Sequence, residues 1–423
     1  MLQRANSENI QKWIDGMNQF NATPEFGTTR ILFTKPELAN REYVKEEMRK
    51  LGLTVREDDI GNIFATLPGS DPTLAPVWTG SHIDTVPNAG KFDGMTGVVS
   101  GMEAVRLIRE SGAPHPRDIV VVAYTSEEPT RYGLSCLGSR ALSGDLTLED
   151  TRVLKDQSGR TLYDKLQELG YSREGFARIR KRKGDVFAAV ELHIEQNSRL
   201  EKAGIPIGIV KKICAPSNYI VEVHGKQGHA GGMNMTDRRD AYAAACEMAL
   251  ALEKLARECP SEYNTATVGC VRLVPNAVNV IPGKCVFTVD IRDCNMKTKQ
   301  ALIGEMKSQF LEIGRKRGVE LTIQEDNNDI PLSCNEDMIR LLETMCEKQG
   351  LEYMELISGP YHDSLFVGRF APTAMLFVPS KNGISHNPEE WTDYEQIARG
   401  TDVLANTLLE LAQKIEPLEE MEE

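Results

Sequence analysis

Along the first two hundred residues, short unbroken apolar runs take turns with longer stretches of helical spacing. The runs Pro76-Val-Trp-Thr-Gly80, Asp118-Ile-Val-Val-Val-Ala-Tyr124 and Ala188-Ala-Val-Glu-Leu-His193 are brief and rich in branched residues, which predicts buried strands. Residues 95–109 carry apolar side chains at helical intervals. This alternation predicts an α/β fold, a central sheet covered by helices. From about Ala215 the order changes to strand 218–224, helix 236–258, strand 267–274, strand 284–291, helix 297–317 and strand 319–324. That βαββαβ order is ferredoxin-like and makes a self-contained α+β unit. Beyond Pro331 come helix 336–349, strand 372–378 and helix 394–414. The expectation is a main α/β domain of residues 1–214 and 331–423, interrupted by an inserted ferredoxin-like satellite of residues 215–330. A hinge is expected at 214–216 and 329–331, where the chain crosses between them.

Length changes little in this picture, since 423 residues exceed what one core usually serves and two domains follow. Charge excludes more. The 49 basic and 62 acidic residues leave a net −13, which repels phosphate backbones and anionic membranes, so no nucleic-acid or membrane partner is expected. The one basic run, residues 178–183, reads as a solvated loop. Nine cysteines at irregular spacing, without a CxxC pair, argue for a reducing, cytoplasmic setting. Ile10, Trp13, Ile14, Met17 and Phe20 predict an amphipathic first helix, with no apolar core of a secretion signal. The Glu-rich tail from Glu416 is expected to fray.

Chemistry-bearing residues fall where strands are expected to end. Gly80-Ser-His-Ile-Asp-Thr85 and Lys91-Phe-Asp-Gly-Met-Thr-Gly97 offer His82 and Asp93 as ligands for Zn²⁺, Mn²⁺ or Co²⁺, and Asp84 as an acceptor that orients the His82 ring. Tyr124-Thr-Ser-Glu-Glu-Pro129 ends an apolar strand in two carboxylates that point in different directions. Glu128 then serves as ligand and Glu127 as general base. Glu191-Leu-His-Ile-Glu-Gln196 and Gly383-Ile-Ser-His-Asn-Pro-Glu389 add His193 and His386. Any one of these motifs is weak alone, but together three imidazoles, a bridging carboxylate and Glu128 suffice for two ions.

In this order, and over nearly the whole chain, the motifs resemble the M20 metallopeptidase superfamily. The likeness is to its carbamoyl-removing amidohydrolases, which hydrolyse N-carbamoyl-L-amino acids, allantoate or ureidoglycolate. The resemblance implies one ion on His82, Asp93 and His193, a second on Asp93, Glu128 and His386, and Mn²⁺ or Zn²⁺ as the metal. It implies substrate contacts from Gln196, Asn279 in Asn276-Ala-Val-Asn-Val-Ile-Pro282, and Arg292 in Asp290-Ile-Arg-Asp293, whose guanidinium fork suits a carboxylate. It also implies that His229 of Gly228-His-Ala-Gly231 stabilises an oxyanion in the partner subunit's site, which requires a homodimer through the satellite. Two variant stretches, Glu127-Glu-Pro-Thr-Arg-Tyr and Gly359-Pro-Tyr-His-Asp-Ser-Leu-Phe366, are similar to the ureidoglycolate amidohydrolases and place Tyr361 and His362 at the substrate. The expected reaction is opening of the terminal ureido group of a small carboxylate, (S)-ureidoglycolate first. An exopeptidase activity is the more remote alternative.

Overall fold

The computed structural model describes residues 1–416 and Leu418, so the tail expected to fray otherwise lies outside the described residues. The chain forms two compact units. One comprises Met1–Lys211, Cys334–Leu356 and His362–Glu423, the other Lys212–Ser333 and Ile357–Tyr361. These bounds lie slightly outside the expected crossings and add the Ile357–Tyr361 segment to the second unit.

The first unit is built on a mixed sheet running Thr54–Glu57, Ile63–Leu67, Ile119–Tyr124, Val77–His82, Ala188–Ile194, Thr373–Val378, Ile207–Ile213. Its four central strands, Ile119–Tyr124 to Thr373–Val378, run parallel. Each is buried along its whole length, as strands covered by helices on both faces must be. The helix Met95–Ser111 packs against this sheet and against the helices Tyr394–Gln413 and Ser7–Asn18. Enclosure by sheet and helices together explains why it reads as apolar and small nearly all round rather than as one greasy stripe. Among the described residues no helix is long and apolar enough to cross a membrane.

The second unit has the expected βαββαβ order. Its antiparallel sheet runs Val271–Val274, Lys284–Asp293, Ala215–His224, Glu320–Asn328, with Asn264–Thr267 also pairing to Lys284–Asp293. Side chains of the two long central strands alternate strictly between buried and half-buried over most of their length, so one face meets the helices Ala241–Glu258 and Met296–Arg317. Two details differ from expectation. The expected strand 267–274 is broken into two pieces around Gly269. The helix expected from Thr236 begins at Ala241, because the Asp240 carboxylate caps the amides of Tyr242 and Ala243.

Candidate active site

Parallel strands in register bring their carboxyl ends to one place, and there the first unit gathers its chemistry. His82 ends one strand opposite Tyr124, and His193 lies opposite Phe377. Glu127 and Glu128 follow the strand Ile119–Tyr124, and His386 follows Thr373–Val378. Three turns out of this layer use non-glycine residues in the left-handed region, Ser126, Gln196 and His386, all with φ near +55°. Each such residue costs on the order of 1 kcal/mol or more, strain of a kind that concentrates at functional sites.

Asp93 stands at the centre. Its Oδ1 lies 3.4 Å from His82 Nε2 and 3.3 Å from His193 Nε2, while its Oδ2 lies 3.2 Å from His386 Nε2. His386 Nε2 is also 3.1 Å from Glu128 Oε1. Two ligands of one tetrahedral ion, each bonded at about 2.0–2.2 Å, stand about 3.3–3.6 Å apart. The donor sets His82–Asp93–His193 and Asp93–Glu128–His386 therefore have the spacing of two ion sites sharing one carboxylate.

The two buried imidazoles are preset for this. His82 Nδ1 lies 3.1 Å from the Asp84 carbonyl and His193 Nδ1 2.9 Å from the Ile194 carbonyl. A carbonyl only accepts, so both Nδ1 atoms carry a hydrogen, and Nε2 of each ring, turned to Asp93, is the nitrogen that can bind a cation once it has no hydrogen of its own. Gly94 makes room for the Asp93 loop. Its φ is +71°, and a Cβ there would fall 2.5 Å from the His82 ring. Asp84 orients the ring through its backbone carbonyl, since its Oδ1 is 3.6 Å from His82 Nδ1. Its carboxylate instead accepts the amides of Glu127 and Glu128, each at 3.2 Å, and so fixes the acidic pair.

Electrostatics mark the cluster as short of positive charge. Burial pushes the Glu127 carboxyl well above its usual range, and the Glu128 charge adds to the rise. Burial also raises Glu128, against the opposing pull of His386. For Asp93 burial acts upward, but hydrogen bonds from His193, His386 and His82 hold it well below the ordinary value. His82 shows the converse, burial acting downward while Asp84, Asp93 and Glu127 carry it well above the usual imidazole range. Buried carboxylates crowded in this way, with lone pairs converging, are the donor set that divalent cations satisfy.

Of the other expected site residues in this unit, Gln196 donates to Asp93 Oδ2 at 2.7 Å and its Oε1 is buried without a partner. His362 is buried with its ring 4.5 Å from that of His193, and burial drives its pKa well below the usual value. In the second unit His229 is exposed, its Nδ1 accepting the Gly231 amide. Pairing of His229 with Val280, and of the Ala230 amide with the Asn279 carbonyl, makes His229 and Asn279 neighbours. Arg292 forms a fork on Asp290, both bonds 3.1 Å, and its guanidinium lies 5.5 Å from the Tyr361 ring centre.

Sequence reasoning passed over Glu191, Ser385 and Glu390. Glu191 accepts the hydroxyls of Ser81 and Ser364 beside His193 and His362. Glu390 is 3% exposed and accepts the amides of Phe92 and Asp93, whereas its neighbour Glu389 faces solvent. Nothing in a Glu-Glu pair on a loop tells which of the two turns inward.

Residues 78–410 match peptidase family M20/M25/M40. The chain belongs to this family. Among M20 proteins it is 41% identical over 412 residues to a ureidoglycolate hydrolase of Oryza sativa subsp. japonica, covering 96% of this chain and 85% of that one. It is 34% identical over 403 residues to an allantoate amidohydrolase of Bacillus subtilis (strain 168), covering 95% and 97%. The solved M20-type structure of AtUAH in complex with glyoxylate superposes with a TM-score of 0.87 over 98% of this chain and 99% of that one, at 38% identity.

Proposed function

We propose that this M20 amidohydrolase cleaves the terminal ureido group of a small carboxylate, with (S)-ureidoglycolate as the substrate. The observation that carries the reading is Asp93 turning one oxygen to His82 and His193 and the other to His386. Likeness along nearly the whole chain to ureidoglycolate hydrolases supports the substrate.

His82, Asp93 and His193 would hold one divalent ion, and Asp93, Glu128 and His386 a second, with Mn²⁺ or Zn²⁺ suited to imidazole and carboxylate donors. When bound, such a pair supplies Lewis acidity, lowering the pKa of water from about 15.7 toward 7 and polarising a carbonyl oxygen. Glu127 does the proton work. Beside both donor sets, with Oε2 3.9 Å from His82 Nε2, its carboxylate would take a proton from the attacking water and return it to the departing ureido nitrogen. The carbamic acid released falls to ammonia and carbon dioxide. The amine left on a hydroxyl-bearing carbon is a hemiaminal and eliminates a second ammonia, giving glyoxylate. Arg292 and Asn279 would bind the substrate carboxylate, and Tyr361 and His362 would line the substrate pocket.

A homodimer through the second unit would let His229 serve the partner subunit's oxyanion. The exposed Val271 and Val274 on that unit's edge strand offer a surface for such pairing. The cysteine pattern supports a cytoplasmic enzyme. The test is ammonia release by Mn²⁺- or Zn²⁺-loaded protein from ureidoglycolate, allantoate and N-carbamoyl-L-amino acids in parallel. Two ammonia molecules per ureidoglycolate, with little turnover of the others, is the expected result. Preference for another ureido acid would reassign the substrate, and no metal-dependent release from any would end the amidohydrolase reading.

A further inference from the structure

The three candidate histidine ligands are not held alike. His82 and His193 are almost wholly buried, each with Nδ1 tied to a backbone carbonyl. His386 has a half-exposed side chain and a left-handed backbone, and no hydrogen bond at its Nδ1 is found among the described residues. A metal-bound histidine ordinarily has its second nitrogen anchored, because that bond fixes ring orientation. Something else must set where His386 points.

The loop that carries it supplies the answer. Ser385, the preceding residue, places its Oγ 3.0 Å from Asp93 Oδ2 and 2.8 Å from Glu390 Oε2. Glu390 in turn accepts the amides of Phe92 at 2.9 Å and Asp93 at 3.1 Å through its other oxygen. Gly90 leaves space for this, since a Cβ there would lie 2.3 Å from Glu390 Cβ. Phe92 and Trp391 pack edge to face at 5.3 Å, closing the same two loops over each other. One buried carboxylate thus ties the backbone of the bridging aspartate to the residue next to His386. The Ser385 hydroxyl has a single hydrogen to share between two carboxylates, so it can turn from Asp93 to Glu390 when Oδ2 is engaged by a cation.

We infer that Glu390 and Ser385 are positioning residues that replace the missing Nδ1 anchor and set the affinity of the His386–Glu128–Asp93 ion site, leaving the His82–His193 site nearly untouched. This rests on the two-ion reading above. It follows that the His386-side ion is the more exchangeable of the pair, because its histidine is held through its loop rather than through its ring.

The test is titration of metal-free full-length protein with Zn²⁺ against a chromophoric chelator, with thermal melting of every variant. Wild type should take up two ions of unequal affinity. Ser385→Ala and Glu390→Ala should each weaken the weaker site about 10–100-fold while the tighter site moves little. Glu390→Gln, whose amide oxygen still accepts the two backbone N–H groups and whose amide nitrogen can donate to Ser385, should recover most of the loss. Ser385→Ala removes one oxygen and guards against a folding failure of Glu390→Ala. Two-ion uptake by wild type with both sites unchanged in Ser385→Ala and in folded Glu390→Ala overturns the assignment alone. So does equal weakening of both sites. Uptake of a single ion by wild type overturns the two-ion reading and this inference with it.

Discussion

Glu127 and Glu128 share a turn and almost a name, yet their surroundings divide their work. Glu128 meets His386 at 3.1 Å, while Glu127 has only longer contacts among the described residues, Oε2 3.9 Å from His82 Nε2 and Oε1 3.9 Å from the Cys136 thiol that donates to it. Glu127→Gln should therefore lower kcat about 10²–10⁴-fold with metal content unchanged, read by ammonia release and elemental analysis. Asp93→Ala should instead remove both ions, because each donor set loses one oxygen of the carboxylate they share, and elemental analysis of the purified variant shows it. Arg292→Lys should raise KM about tenfold or more with kcat less affected, since an ammonium cannot reproduce a two-pronged contact to a carboxylate. Equal KM in the two proteins would remove Arg292 from the substrate.

At the level of elements, one lysine of the second unit stands where the chain enters and leaves it. Lys299 is fully buried, and its Nζ donates to the carbonyls of Ala215, Pro216 and Asp329, at the first and last strands. Burial brings its pKa down from 10.5 to about 8. The folded chain thus holds fewer protons than the unfolded one between about pH 8 and 10.5, so this group's contribution rises with pH across that window and is lost as pH falls through 8. The melting-temperature difference between wild type and Lys299→Met should shift in favour of wild type from pH 8 to pH 10. A constant difference would show that the lysine titrates normally. The sequence showed the elements well where period and length agreed, as in the buried strands and the βαββαβ order. It misplaced the start of Ala241–Glu258, because a cap at Asp240 competes with apolar periodicity that runs through it. The metal-ligand candidates were legible because histidine is scarce, seven in the chain, and three of them fall in motifs at or after strand ends. Glu390 and Ser385 were not, because their roles come from loops nearly three hundred residues from Asp93 in the chain.

For the whole molecule, the decisive question is whether one chain suffices. If His229 serves the partner subunit's site, mixing Glu127→Gln with His229→Ala chains under subunit exchange should restore about a quarter of wild-type sites, because half the dimers are mixed and one of their two sites is intact. Two inactive homodimers that stay inactive when mixed, with exchange verified by mass, would confine His229 to its own chain.

The strand Thr373–Val378 lies between Ala188–Ile194 and Ile207–Ile213, so the middle of the large sheet is supplied by a segment far later in the chain than the two strands it joins. During synthesis two apolar strands wait, with open edges, until residues 373–378 have emerged. Chains released early, before residue 373, should be insoluble and bound by chaperones, while release just beyond residue 414 should yield soluble protein. Translation thus has a checkpoint at this strand, before which a message cut short produces aggregate rather than a weaker enzyme.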